Sequence, residues 1–124
     1  MKLTNGEMFA SINVLSGVEE KGKLGYAIAH NRRVINEALT EYYDVRNRII
    51  TSHGTKNEDG TYSLSDEQAA AAQQELDEFT FIEHEVDIMR VDVDTFCSGS
   101  LNSQQMFILN WMVKKEDPNH EREN

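Results

Sequence analysis

KLGYAIAHNRRVINEALTEYYDVRNRIITSH, residues 23–53, is the stretch whose reading decides the fold. Leu24, Ile28, Ile35, Leu39, Tyr42 and Ile49 recur in it at three- and four-residue intervals with polar residues between, the spacing that places one apolar stripe along an α-helix. Gly54 follows as the expected left-handed C-cap. A single helix of this span would extend about 45 Å at roughly 1.5 Å per residue, so it needs a comparable element to pack along.

The expected partner lies beyond the loop 54–65. Ser65 and Gln68 form a capping box, and Ala69, Ala72, Leu76, Phe79 and Ile82 continue at helical spacing to about residue 84. Together the two segments predict a long antiparallel helical hairpin. Upstream, Thr4 with Glu7 fits a second capping box ahead of Met8, Phe9, Ile12, Leu15 and Val18, with Gly22 and Gly25 bracketing a break.

The period changes at Glu85. In Glu85-Val86-Asp87-Ile88 and Val91-Asp92-Val93-Asp94 apolar and acidic residues alternate as in a half-buried strand, with Met89-Arg90 as a bulge. Such a strand needs partners, and Lys2-Leu3-Thr4 and Thr61-Tyr62-Ser63-Leu64 are the candidates. After Ser98-Gly99-Ser100, Ser103 can cap a short helix in which Met106, Phe107, Ile108, Leu109, Trp111, Met112 and Val113 are apolar on all sides, so it either fills the core or forms an interface. The predicted class is mainly α (α+β): the hairpin, a small two- or three-stranded antiparallel sheet and the apolar C-terminal helix. One globular domain is expected over 1–115, with a polar, disordered tail over 116–124.

Charge narrows the function classes. Residues 1–54 carry seven Lys and Arg against six Asp and Glu, whereas 55–124 carry five against sixteen, within a net charge of −10. Such an excess repels nucleic-acid phosphate, which excludes direct DNA or RNA binding, and suits a basic protein partner. The single cysteine, Cys97, permits no internal disulfide and fits a reducing cytosol, where it reads as a buried or indifferent thiol. The opening residues lack a charged region followed by an apolar run, and no apolar stretch approaches the roughly 20 residues that span a bilayer, so neither targeting nor membrane insertion is expected.

Catalytic and metal readings fail on residue type and spacing. Thr55 to Asp66 resembles a calcium loop in its alternating oxygen side chains and Gly60, but it begins with Thr and ends with Asp where a bidentate Glu is needed, so it reads as an Asp-Gly turn. His30, His53, His84 and His120 form no ligand pair, and His30-Asn31-Arg32-Arg33 reads as a solvated helical turn. Glu85, Asp87, Asp92 and Asp94 would spread along the solvated face of a strand, which does not converge them on a metal. No catalytic residue, metal site or cofactor is assigned. The carboxylate stripe, with Phe107 and Trp111 of the last helix, is the candidate partner-binding surface.

The opening Met1-Lys2-Leu3-Thr4-Asn5-Gly6-Glu7 and Gly25-Tyr26-Ala27-Ile28-Ala29-His30-Asn31-Arg32-Arg33, with Asp44 to Ile50, Asn57 to Tyr62, Glu85 to Ile88 and Phe107 to Met112, resemble a family of small proteins from tailed phages of Gram-positive bacteria, a domain of unknown function. The resemblance implies a phage product acting in the host bacterial cytoplasm on a host or phage protein, and it carries over no site residues. Two roles follow. One is a non-enzymatic counter-defence inhibitor of the anti-CRISPR type, presenting acidic groups to a basic nucleic-acid-binding protein. The other is a virion or tail assembly factor or chaperone working through the apolar helix, with a homodimer as one form of that contact.

Overall fold

A computed structural model describes residues 1–114; the tail at 116–124 lies outside them. The elements run β1 (Lys2–Thr4), α1 (Asn5–Leu15), α2 (Gly22–Ala38), α3 (Thr40–His53), β2 (Thr55–Lys56), β3 (Tyr62–Ser63), α4 (Asp66–Thr80), β4 (Glu83–Glu85), α5 (Val93–Cys97) and α6 (Ser103–Ile108), with a 3-10 turn at Asn110–Met112. The fold is α+β and mainly helical, with two small two-stranded antiparallel sheets among the described residues. The described residues divide into two compact units, Met1–Phe9 with Ile35–Val86, and Ala10–Val34 with residues 87–114.

In the first unit the capping boxes form as read. Thr4 N–H donates to Glu7 Oε1 at 3.0 Å while Glu7 N–H donates to Thr4 Oγ1 at 3.1 Å, which ends β1 and starts α1. Ser65 and Gln68 make the same reciprocal pair at the start of α4, at 2.9 and 3.2 Å. Ser65→Ala removes the acceptor for Gln68 N–H and should lower stability by about 1 kcal/mol in urea denaturation followed by circular dichroism. A change under about 0.3 kcal/mol would mean that water replaces the cap without loss.

The predicted single helix 23–53 is interrupted at Leu39. The apolar stripe runs through the interruption, and Leu39 N–H still reaches Ile35 O at 2.9 Å. Thr40 explains the break: its hydroxyl donates to Glu37 O at 2.9 Å, competing locally for carbonyls that regular helix would use. The hairpin of the first unit is therefore α3 against α4. Tyr42 near the start of α3 neighbours Thr80 at the end of α4, while His53 at the end of α3 lies 2.6 Å from Glu75. Ile49 and Ala72 are buried on the facing sides.

Gly54 is extended (φ −85°, ψ 170°), not left-handed. Glycine is needed there for space, because a Cβ would stand 2.8 Å from Ile50 O and 3.2 Å from Ser63 O. The Asp-Gly turn does form, between β2 and β3. Gly60 takes φ +88°, and Asp59 Oδ1 accepts from Thr61 N–H at 3.0 Å and from the Thr61 hydroxyl at 2.6 Å. These bonds to the charged form hold the Asp59 carboxyl below its usual range. Tyr62-Ser63 thus pairs with Thr55-Lys56 in a sheet of its own, while β1 pairs with β4 in the register Leu3 to His84.

In the second unit α2 begins at Gly22, so Gly25 lies inside it. The buried apolar residues of this unit are Ile12, Leu15, Leu24, Ala27, Ile28, Val91, Phe96, Leu101, Leu109, Trp111 and Met112. Val91 and Val113 form a parallel bridge, with Val91 N–H donating to Met112 O at 2.7 Å. Asn102, not Ser103, caps α6, accepting from Gln105 N–H at 2.8 Å. The alternating segment 85–94 is not one strand: β4 stops at Glu85, and α5 begins at Val93.

Candidate functional site

The physical reason for that correction is Asn31. Its amide acts as a second backbone for Met89, with Nδ2 donating to Met89 O at 2.9 Å and Oδ1 accepting from Met89 N–H at 2.6 Å. One residue earlier, His30 Nε2 donates to Asp87 O at 2.8 Å. The groups at 87 and 89 that a neighbouring strand would need are thus taken by side chains of α2. His30-Asn31 is not a solvated turn, and Asn31 is fully buried.

The predicted carboxylates consequently do different things. Glu85 at the end of β4 accepts from the amino-terminal ammonium at 2.8 Å, and that bond, with the ammonium's charge, holds its carboxyl below the usual range. Asp87 is exposed and contributes its carbonyl to His30. Asp92 caps α5, its Oδ1 accepting from Thr95 N–H at 2.7 Å; this bond, assisted by the Lys114 and Lys23 charges, lowers its pKa. Asp94 stands exposed in the first turn of α5, beside a half-exposed Val93 that a strand would have buried.

Phe107 and Trp111 also part company. Phe107 is 77 % exposed on α6, whereas Trp111 is 8 % exposed and donates from Nε1 to the buried Ser11 Oγ at 2.9 Å. Trp111 is core rather than contact surface. Cys97 is exposed on α5, not buried.

The acidity falls in the first unit, and its excess comes from residues 57–86, which hold nine Asp and Glu and no Lys or Arg. The first unit holds 13 Asp and Glu against 4 Lys and Arg, a balance of −9. The described part of the second unit holds 5 against 6, a balance of +1. Asp66, Glu67, Glu75, Asp77 and Glu78 on α4 and Glu83 and Glu85 on β4 are all exposed. Among the few cations of this unit, Arg46 lies over the Phe9 ring at 5.2 Å. The signal was available in the sequence, since no Lys or Arg stands between Lys56 and Arg90.

The first unit also contains a cavity of about 240 Å³ lined by Asn5, Glu41, Tyr42, Val45, Phe79, Ile82 and His84. Asn5 is buried at its wall. Its backbone N–H donates to Ile82 O at 3.0 Å and its Nδ2 to Phe79 O at 2.9 Å, which fixes the amide's orientation. Its Oδ1 is buried without a hydrogen-bond partner among the described residues, an arrangement that costs about 1–3 kcal/mol. Tyr42 packs edge-on against Phe9 at 5.7 Å, and burial raises its pKa. Phe81, beside the cavity residue Ile82 in sequence, is 79 % exposed.

Among the described residues no group of His, Cys, Asp and Glu is arranged to hold a metal ion, and no helix is long and apolar enough to cross a membrane. Compared with family models, with curated proteins and with solved structures, the chain matches none.

Proposed function

We propose that the chain is a non-enzymatic phage protein that binds and inhibits a basic, nucleic-acid-binding host protein, a counter-defence inhibitor of the anti-CRISPR kind acting in the host cytoplasm. The observation that carries this reading is the −9 balance of the first unit, with the exposed carboxylates of α4 and β4 as its contact groups. Dense negative charge steers a basic partner into encounter and competes for a groove that otherwise binds phosphate. The contact surface is thereby moved from the Glu85–Asp94 segment to α4 and its neighbours.

Asp77→Lys, Glu78→Lys and Glu83→Lys combined should weaken inhibition of target cleavage at least tenfold, with helicity unchanged, while Asp94→Lys in the other unit leaves it within twofold. Equal inhibition by all variants would remove the reading. The exposure of Phe107 favours a second one, a virion assembly factor or chaperone that self-associates or docks through α6. Light scattering on Phe107→Ser decides it: a dimer converted to monomer supports assembly, and a monomer throughout speaks against self-association.

A further inference from the structure

Phe81 and Ile82 form the corner between α4 and β4, and they are 79 % and 46 % exposed. A lone apolar side chain at the surface needs no explanation, but two observations set this pair apart. The first is that the corner is fixed. The buried Asn5 donates from Nδ2 to Phe79 O at 2.9 Å and from its backbone N–H to Ile82 O at 3.0 Å, so one residue holds the carbonyls on both sides of Phe81. The second is that charge of one sign flanks it. Asp77 and Glu78 stand four and three residues before Phe81, the positions that neighbour it on a helix surface, and Glu83 follows two residues after it, within about 7 Å of chain reach. All three carboxylates are exposed, and none is in an ion pair among the described residues. Phe107, the other strongly exposed phenylalanine, lies in the stretch 98–113, which holds no charged residue.

We propose that Phe81, with Ile82 beside it, is the apolar anchor of the contact made by the acidic unit, and that it seats in an apolar recess rimmed by lysine or arginine on a basic protein. The proposal rests on the inhibitor reading for the partner's class, and on the corner itself for the chemistry. Exposed carboxylates steer a cationic partner and set its approach, yet each ion pair they form is worth little once water and salt screen it. What holds a complex together is a buried side chain, most often an aromatic one enclosed by a polar rim. Phe81 with Asp77, Glu78 and Glu83 about it has that arrangement. The backbone that displays the ring is ordered before encounter, so less freedom is lost on binding. The same carboxylates set the occupant's sign, since they repel phosphate and the acidic unit of a second copy alike.

Two peptides of equal charge separate anchor from steering: an acetylated, amidated tandem repeat of Gly-Arg-Leu-Leu-Arg, and its counterpart with Ser for Leu. Each is titrated into the isotope-labelled full chain and followed by the backbone amides of residues 77–83. The leucine peptide should bind about fivefold tighter than the serine peptide. Phe81→Ser should bring the two within about twofold of each other while both still bind, Phe81→Leu should keep part of the preference, and Phe107→Ser should leave it whole. Phe81 is exposed, so these variants keep the fold, which circular dichroism checks. A preference untouched by Phe81→Ser, a preference abolished by Phe107→Ser, equal binding of the two peptides by the unaltered chain, or self-association in light scattering that Phe81→Ser abolishes would each overturn the assignment. The titration needs no target protein, so its failure leaves the charge-reversal result standing, and the reverse also holds.

Discussion

Asn31→Leu is expected to lower the free energy of unfolding by about 3 kcal/mol, read from urea denaturation by Trp111 fluorescence. Leucine has the same branching and number of heavy side-chain atoms but is bulkier and offers neither donor nor acceptor. Met89 N–H and C=O, bonded to Asn31 at 2.6 and 2.9 Å, would both lose their partner in a part-buried setting. Each orphaned backbone group costs about 1–3 kcal/mol, and together these outweigh the gain from burying an apolar side chain at a site with no exposure. Asn31→Asp makes the control, because it keeps an acceptor for Met89 N–H while setting an oxygen toward Met89 O. A loss below about 1 kcal/mol for the leucine variant would show that water reaches both groups, and the structural role given to Asn31 would be wrong.

Trp111→Ala should cost about 3–5 kcal/mol, the range for removing a large buried aromatic. The indole is 8 % exposed, and its removal leaves a void and strands Ser11 Oγ, whose donor lies 2.9 Å away. Two terms add here, one from lost apolar contact and one from the unpaired hydroxyl. Trp111→Phe isolates the second, and combining it with Ser11→Ala should restore part of its loss, since the hydroxyl is then gone with its partner. Thermal unfolding followed by circular dichroism measures all three. Were Trp111 a docking residue instead, Trp111→Ala would leave the melting temperature within a few degrees and change only partner binding.

The positions the sequence read correctly share a short range. Thr4 with Glu7 and Ser65 with Gln68 lie three residues apart, so their side chains reach the free N–H groups of the same turn wherever the rest of the chain goes. Asp59-Gly60 is local in the same sense, and the stripes of Leu24 to Ile49 and Ala72 to Phe79 record helix periodicity directly. Lys2-Leu3-Thr4 does find a strand partner, but it is Glu83–Glu85, residues mostly read as the end of a helix reaching about residue 84, whereas α4 stops at Thr80. The interruption at Leu39 was not legible, because Thr40 disturbs backbone bonds without disturbing the apolar period.

The candidate site divides along the same line. That the protein is acidic, that its carboxylates lack cationic neighbours from Lys56 to Arg90, and that it has the makings of capped amphipathic helices follow from the sequence alone, because composition and i to i+4 spacing do not depend on the fold. Only tertiary structure decided that 85–94 is not a strand, since the groups that would pair it are claimed by His30 and Asn31, 57 and 58 residues earlier in the chain. Tertiary structure alone also buried Trp111 against Ser11 and left Asn5 Oδ1 without a donor among the described residues. Each outcome depends on which distant group arrives first at a polar atom or an apolar face, and local periodicity carries no record of that competition.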